Sequence, residues 1–139
     1  MEQSRNNLVR LSEIMRTTFG EDIMAKTIVR DVKKDAHSLI VVDGIRRPAD
    51  IVYLEKLPNF VLVEIFAAPQ TRYRRLVQRG ENADDKNKTY KQFLADNRRS
   101  TEISILQVIK KAKEKIDNNG DEKKLQKQLN ALVAKYSPS

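Results

Sequence analysis

The segment SLIVVDGIRR, residues 38–47, decides the fold. Its residues 39–42 are a continuous apolar run, largely β-branched and of strand length, and the Asp-Gly pair that follows stops it. Runs of this kind are typical of parallel strands whose sheet is covered by helices on both faces. The segment therefore predicts a buried strand over residues 38–43 in an α/β protein.

Three polar residues follow this predicted strand: Asp43, Arg46 and Arg47. In a parallel sheet flanked by helices, ligands bind beyond the carboxyl ends of the strands, where these side chains would emerge. A carboxylate there can hold a metal ion or its waters, and an arginine fork binds phosphate oxygens through paired hydrogen bonds. The pattern indicates phosphate chemistry. The alternative is an ordinary Asp-Gly turn followed by two solvated arginines.

Length and composition limit the number of domains, the possible partners and the kinds of site. A chain of 139 residues with 40% hydrophobic content can build one modest core, which predicts a single domain over residues 1–139. Its 27 basic and 19 acidic residues give a net charge of +8, which attracts nucleotides, nucleic acid or an anionic membrane surface. The lack of cysteine excludes disulfides and thiolate metal sites, and the single histidine, His37, excludes a histidine metal cluster.

The sequence shows no feature that targets a membrane. Its N-terminal residues are polar and lack an apolar signal core, and no apolar window reaches the length of a membrane span. We expect a soluble, cytoplasmic protein that has no membrane partner.

Helices and strands are predicted to alternate along the chain. The apolar runs predict strands at 38–43, 60–68 and 113–117, the last a short edge strand. The apolar spacing predicts helices at 5–18, 21–34, 48–57, 70–78, 90–99, 103–111 and 122–135. A polar, lid-like loop covers about 80–89. This order fits a three-layer architecture in which helical crossovers join the strands of a mostly parallel sheet.

The predicted helix at 70–78 introduces a second basic group. Arg72, Arg75 and Arg79 are spaced three and four residues apart, so a helix places their guanidinium groups along one face. Clustered positive charge costs repulsion, which a bound polyanion relieves. Arg98 and Arg99 end the predicted helix after the lid-like loop, and the sequence leaves open whether all of these groups converge on one phosphate. The alternative is that these arginines pair with acidic residues or cover sheet edges with their aliphatic stems.

In order and spacing, these segments resemble the P-loop nucleotide kinases, in particular small prokaryotic ones similar to nucleoside monophosphate and dephospho-coenzyme A kinases. The resemblance runs from about Asn7 to the C-terminal helix. It rests on the predicted strand with its Asp-Gly-Ile-Arg end, on the apolar strand at 60–68 followed by Pro69 and the arginine helix, on the polar loop, and on the segment 116–120 before a leucine-bearing helix.

The resemblance implies roles for the acid and the arginines after the first strand. In such kinases the acid that ends this strand lies near magnesium and the nucleotide phosphates, a position that Asp43 takes here. The arginine just beyond it holds the phosphate of the acceptor, which matches either Arg46 or Arg47. ATP and Mg²⁺ are the implied cofactors, with Asp43 reaching the metal through a bound water.

The same resemblance implies residues for the transferring phosphoryl group and the donor base. Arginines beside the mobile lid neutralise the phosphoryl charge, a role for Arg75 and Arg79 before the loop and for Arg98 or Arg99 after it. The Asn118-Asn119-Gly120 turn resembles the segment near the adenine of the donor. Catalysis of this kind is mostly positioning and charge stabilisation, which suits an arginine-rich site.

The chain departs from the kinase pattern in one respect. It contains no Gly-x-x-x-x-Gly-Lys-Ser/Thr motif, and its four glycines, at 20, 44, 80 and 120, are too far apart to form one. The first strand, phosphate loop and following helix of the kinases have no counterpart. We therefore expect a P-loop kinase fold truncated at its N-terminus, which does not bind ATP tightly on its own.

The sequence thus favours a nucleotide-kinase-like domain, of a family that transfers a phosphoryl group from ATP to a nucleoside monophosphate or dephospho-coenzyme A. Its expected partner is a nucleotide or another small molecule that bears phosphate. One alternative is a basic module that binds nucleic acid. Another is a non-catalytic interaction protein that self-associates through unpaired sheet edges.

Overall fold

Seven α-helices and one parallel pair of strands make up the regular structure of the residues that the computed structural model describes, which are 5–81, 85–98 and 100–138. The fold class is therefore α/β, as the sequence predicts. The chain divides into two compact units, Met1–Phe60 and Val61–Ser139. Both strands of the sheet belong to the second unit.

The first unit is built from three helices and one 3-10 turn. They are α1 (Arg5–Phe19), α2 (Ile23–Lys34), α3 (Pro48–Ile51) and the turn Leu54–Lys56. α2 packs against both α1 and α3. The predicted helices at 5–18 and 21–34 are confirmed, whereas the region 48–57 forms only the short α3 and the turn. Ile51 and Leu54, on the predicted apolar side of this region, are buried together with Ala25 of α2.

A polar cluster fastens the start of α2 to the residues after α3. The Tyr53 hydroxyl donates a hydrogen bond to the Asp22 carboxylate, and Lys26 Nζ lies 3.1 Å from Asp22 Oδ1. These two hydrogen bonds, with Tyr53 first, lower the pKa of Asp22, and the bond to Asp22 raises the pKa of Lys26. The cluster supplements a core that has few buried apolar side chains.

Residues 38–43 do not form a strand, so the prediction of a buried strand there is wrong. Within the described ranges, no backbone hydrogen bond reaches this segment. Leu39 is 46% exposed and Val41 is 82% exposed, while Ile40 and Val42 are half-buried. A β-branched run favours an extended backbone, but a strand also requires a hydrogen-bonded neighbour, and the described part of the chain provides none.

The second unit contains the sheet and four helices. The elements are β1 (Val63–Phe66), α4 (Pro69–Arg79), a 3-10 turn Asp85–Asn87, α5 (Tyr90–Asp96), α6 (Ser100–Ile109), β2 (Glu114–Asp117) and α7 (Glu122–Tyr136). β1 and β2 are parallel, with Val63 opposite Glu114 and Phe66 opposite Asp117. The predicted strands at 60–68 and 113–117 are confirmed in shortened form. The sheet has two strands rather than the three predicted, because residues 38–43 are unpaired.

Local sequence explains where the helices of this unit begin and end. Pro69 occupies the first turn of α4, and Gly80 ends that helix with φ of 57°, a left-handed conformation that glycine adopts without strain. Thr89 and Gln92 form a reciprocal capping box at the start of α5. The Asp121 carboxylate accepts a hydrogen bond from the Lys124 amide at 2.9 Å and caps α7.

The buried core of the second unit is drawn from α5, α6 and β2. Phe93, Val108 and Ile116 are its buried apolar side chains among the described residues. Tyr73 and Tyr90 extend the core around Phe93, with the Tyr73 and Tyr90 ring centroids 5.3 Å apart. These aromatic side chains therefore pack α4 against α5.

The C-terminal end of α7 is attached to β2 by one carboxylate. Glu114 Oε1 accepts hydrogen bonds from Lys135 Nζ and from the Tyr136 hydroxyl, each at 2.5 Å. The bond from Lys135, followed by that from Tyr136, lowers the pKa of Glu114 below its ordinary value of 4.5. At pH values above 4.5, a carboxyl group whose pKa is lowered by folding stabilises the folded protein. This contribution to stability is lost as the pH falls through the pKa of the folded state.

We therefore expect Glu114→Gln to make the stability of the folded protein depend less steeply on pH in the acid range. The urea midpoint of the unaltered chain should fall as the pH is lowered from about 5 to about 3, and the variant should lose part of that fall. The measurement is the urea midpoint by circular dichroism at each pH. Glu122→Gln, which removes an exposed carboxylate in the first turn of α7, is the matched control. Identical profiles for Glu114→Gln and the unaltered chain would contradict the expectation.

Within the described ranges, no helix has both the length and the apolar character needed to cross a membrane.

Candidate functional site

The predicted site residues of the first unit lie at the end of its unpaired segment 38–43 or just after it. Asp43 is exposed, and its Oδ1 accepts a hydrogen bond from the Gly44 amide at 2.6 Å. No group of three or more acidic, histidine or cysteine side chains that could hold a metal occurs in the part of the chain described. Asp43 is thus a single exposed carboxylate with one oxygen already engaged by the neighbouring amide.

The structure distinguishes Arg46 from Arg47, which the sequence left as alternatives, by their contacts. Arg47 Nη1 lies 3.1 Å from Glu21 Oε2, and its Nη2 lies 3.0 Å from Asp50 Oδ1. Its backbone amide also donates to Asp50 Oδ2 at 2.8 Å. Arg47 therefore joins the start of α3 to Glu21, which lies two residues before the start of α2. The Arg46 side chain is exposed, and only its backbone amide is bonded to Asp50 in the described structure.

Arg72, Arg75 and Arg79 of α4 have three different partners. The Arg72 guanidinium lies over the Phe93 ring, 5.6 Å from its centroid, and Arg79 Nε lies 3.0 Å from Glu81 Oε1. Arg75 instead reaches the turn after β2. The spacing correctly predicts a shared helix face, but the expectation that all three groups point at one anion is wrong, because each reaches a separate neighbour.

Arg75 is the residue that organises the carboxyl edge of the sheet. Its Nη1 donates to the Asn118 carbonyl at 2.6 Å, and its Nη2 donates to the Gly120 carbonyl at 3.0 Å. The guanidinium is half-buried and holds both ends of the Asn118-Asn119-Gly120 turn. Two predicted groups of site residues, the arginine of α4 and this turn, are therefore in direct contact.

Asn119 ties the same turn to the other strand. Its Oδ1 accepts from the Ala68 amide at 2.7 Å, and its Nδ2 donates to Asp117 Oδ1 at 2.6 Å. The Asn118 amide donates to the Phe66 carbonyl at 2.7 Å. The bonds from the backbone and side chain of Asn119 lower the pKa of Asp117. The carboxyl ends of both strands and the start of α4 are thus held in one hydrogen-bonded frame.

Gln128 also supports this frame, and sequence reasoning missed it. Its Oε1 accepts from the Asp117 amide at 2.9 Å, and its Nε2 donates to the Asp117 carbonyl at 2.9 Å. The side-chain amide thereby pairs with the last residue of β2 as a neighbouring strand would. No local signal in the sequence identifies this contact, because it joins α7 to a strand 11 residues earlier.

The remaining predicted residues flank the lid-like loop. Arg98 is exposed in the turn that follows α5. Arg99 lies outside the described residues, as do 82–84 within the predicted loop at 80–89. The described part of that loop includes the 3-10 turn Asp85–Asn87, which packs against α4.

Comparison with known proteins finds archaeal relatives. The chain is 33% identical over 84 residues to a UPF0200 protein of Hyperthermus butylicus, an alignment that covers 60% of this chain and 45% of the relative. It is 25% identical over 124 residues to a UPF0200 protein of Methanothermobacter thermautotrophicus, covering 88% of this chain and 64% of the relative. It is 35% identical over 86 residues to a UPF0200 protein of Methanothrix thermoacetophila, covering 61% and 46%.

These alignments span about half to two thirds of the length of the relatives. No protein-family model matches the chain. The name UPF0200 states no activity.

Proposed function

We propose that the chain is a nucleotide-kinase-like domain whose second unit binds a nucleotide at the carboxyl edge of its two-stranded sheet. The observation that carries the proposal is the contact of Arg75 with both the Asn118 and Gly120 carbonyls. A guanidinium at the carboxyl ends of parallel strands is typical of sites that bind phosphate esters.

The surroundings of Arg75 suit an anion and a base. α4 begins at Pro69 on this edge, and the first amides of a helix lack intrahelical partners and favour negative charge. The turn at 118–120 has its carbonyls directed to Arg75, and its side chains are half-buried. A pre-formed edge of this kind loses less conformational entropy on binding a ligand than a flexible loop does.

The first unit offers a phosphate contact of its own, which is proposed separately from the site of the second unit. Arg46 is exposed and has no side-chain partner among the described residues, so we assign it, rather than Arg47, to the phosphate of the acceptor. Arg47 is already neutralised by Glu21 and Asp50. A nucleoside monophosphate or dephospho-coenzyme A is the acceptor class that the kinase resemblance implies.

The residues present do not fit a complete donor site for ATP and Mg²⁺. A glycine-rich loop with its lysine, which cradles a triphosphate through backbone amides, is missing from the sequence. Asp43 is one carboxylate without a neighbouring ligand cluster among the described residues. The proposal is therefore nucleotide binding by a kinase-like domain, and no phosphoryl-transfer step is assigned to this chain.

Calorimetric titration with AMP tests the proposal. We expect saturable binding that Asn119→Ala weakens about tenfold, because this variant releases the turn from the Ala68 amide and the frame is no longer pre-formed. Asn130→Ala, on the exposed surface of α7, is the matched control and should leave the affinity unchanged. Lack of saturable binding by the unaltered chain would contradict the proposal, as would equal losses in the two variants.

A second candidate function is nucleic-acid binding, which the distribution of charge favours. The second unit contains 17 basic and 10 acidic residues, whereas the first contains 10 and 9, so nearly all of the +8 belongs to the second unit. Lys123, Lys124 and Lys127 are exposed on α7. This candidate predicts binding of a single-stranded oligonucleotide that weakens steeply with salt, is reduced by replacing these lysines with glutamine, and does not respond to AMP.

A further inference from the structure

Asn119 and Gly120 form the one Asn-Gly pair in the sequence. Asparagine is a thermolabile residue, and a following glycine exposes its amide nitrogen to the asparagine side chain because it carries no Cβ. Among the described residues, the Gly120 amide donates no hydrogen bond, so its nitrogen is not engaged elsewhere. The pair therefore contains both groups of an intramolecular reaction.

This reaction is a deamidation in which solvent water is the co-reactant. The Gly120 nitrogen gives up its proton and forms a bond to Asn119 Cγ, while the bond from Cγ to Nδ2 breaks. Ammonia leaves with that proton, and a succinimide ring remains. Water then opens the ring at either of its carbonyl carbons, which gives aspartate or isoaspartate without any change in oxidation state.

The folded chain restrains the Asn119 side chain at both ends. Its Oδ1 accepts a hydrogen bond from the Ala68 amide at 2.7 Å, and its Nδ2 donates to Asp117 Oδ1 at 2.6 Å. Ring closure requires Cγ to come within bonding distance of the Gly120 nitrogen, and a side chain bonded at both ends has little freedom to rotate. The intact frame therefore slows the reaction that the sequence favours.

The product does not fit the contact that Asn119 makes with Asp117. Deamidation replaces the donor Nδ2 by an oxygen and sets a second carboxylate against Asp117 Oδ1. Two ionised carboxylates at this distance repel each other, and the repulsion raises their pKa values. Isoaspartate also leads the backbone through the side-chain carbon, which lengthens the turn before Gly120. The frame cannot re-form around either product.

From these observations, we propose that Asn119 is a deamidation site that the hydrogen-bonded frame protects, and that its conversion to aspartate or isoaspartate abolishes the frame irreversibly. Opening of the turn is the step that permits the reaction. The proposal concerns the frame itself, so it holds whether or not the carboxyl edge binds a nucleotide.

Rates of deamidation in mildly alkaline buffer test the protection. Trypsin cleaves after Lys115 and Lys123, so the peptide 116–123 reports the conversion by mass spectrometry, and its fragmentation separates Asn118 from Asn119. We expect conversion at Asn119 in the folded chain to be about tenfold or more slower than in the free peptide IDNNGDEK. Equal rates in chain and peptide would overturn the proposal, as would faster conversion of Asn118 than of Asn119 in the peptide.

Two substitutions of Ala68 isolate the hydrogen bond to Asn119 Oδ1. Ala68→Pro removes the amide donor and fits the φ of −58° at this position, whereas Ala68→Ser keeps the donor. Under conditions in which circular dichroism shows both variants folded, Ala68→Pro should deamidate several-fold faster than the unaltered chain, and Ala68→Ser should not. Equal rates in the two variants would show that the frame does not protect Asn119.

Gly120→Ala is the control for the chemistry. Its Cβ shields the attacking nitrogen and approaches the flexible Lys124 side chain, which can shift. We expect this variant to suppress conversion at Asn119 in both the chain and the peptide. Conversion at an unchanged rate would exclude attack by this nitrogen and overturn the proposal.

Asn119→Asp tests the consequence of the reaction, because it reproduces the aspartate product. We expect its urea midpoint to be lowered at neutral pH and partly restored as the carboxyl groups are protonated, since protonation removes the repulsion from Asp117. Asn118→Asp adds the same charge one residue earlier, where the side chain has no partner in the described structure, and should lose less stability. Equal losses in the two variants at neutral pH would contradict an irreversible loss of the frame.

Discussion

Replacing Ile51 by alanine is expected to lower the free energy of unfolding of the chain by about 3 kcal/mol, because the change removes three methyl or methylene groups from a closely packed position. Ile51 is 1% exposed and is the largest fully buried side chain among the described residues. The truncation leaves a cavity at this position. The first unit has few other buried apolar side chains that could shift to fill it. Urea denaturation followed by circular dichroism measures the loss.

Val41→Ala is the control for this prediction. Val41 is 82% exposed, and its truncation should change the free energy of unfolding by less than about 0.5 kcal/mol. If residues 38–43 were a buried strand, the two substitutions would have comparable costs. A large loss for Val41→Ala, or a negligible one for Ile51→Ala, would contradict the structure of the first unit.

Arg75→Ala is expected to have the second large effect, on both stability and nucleotide binding. It removes two hydrogen bonds from a charged donor to the Asn118 and Gly120 carbonyls, each worth roughly 1.5 kcal/mol, so we expect a loss of about 3 kcal/mol. The turn then loses its anchor to α4, and the edge that binds the nucleotide is no longer held in place. Urea denaturation and AMP titration measure the two effects.

Arg74→Ala is the matched control for Arg75. It removes the same charge from the adjacent position of α4, where the side chain is exposed. We expect its free energy of unfolding to remain close to that of the unaltered chain. Arg75→Lys should restore only part of the loss, since an ammonium cannot reproduce the fixed fork that reaches two carbonyls. Equal effects of Arg74→Ala and Arg75→Ala would show that charge, and not the carbonyl contacts, matters.

Helices and the parallel strand pair could be predicted because their signals are local. α1 and α7 have apolar residues at helical spacing, and their observed bounds agree with prediction to within one residue at each end. β1 and β2 are bounded by turn residues, and the helices between them require a crossover and hence a parallel pair. Periodicity and caps act over a few residues, so they are visible in sequence.

The structure of segment 38–43 could not be predicted from sequence, because it depends on a partner that is distant along the chain or in another chain. Its composition favours an extended backbone, and that part of the prediction agrees with the alternating burial. Whether an extended segment becomes a strand depends on a partner elsewhere in the chain or in another chain. That partner is not visible in the residues of the segment itself.

The residues of the candidate site were predicted from the sequence, but the contacts between them were not. Arg46 and Arg47 are adjacent and chemically identical, yet among the described residues only the Arg47 side chain is paired, with Asp50 and with Glu21, which is 26 residues earlier. Arg75 and the turn at 118–120 were predicted separately, and their contact spans more than 40 residues. Such contacts depend on how the elements pack, which spacing within one helix does not reveal.

The most direct test of nucleotide binding at the carboxyl edge is an amide NMR titration of the full chain with AMP. We expect saturable shifts concentrated at Ala67, Ala68 and Gln70 and in the turn at 118–120, with the Arg75→Ala chain showing none at the same concentrations. Shifts confined to the lysines of α7 that disappear with added salt, or no saturable shift at the edge, would contradict the account.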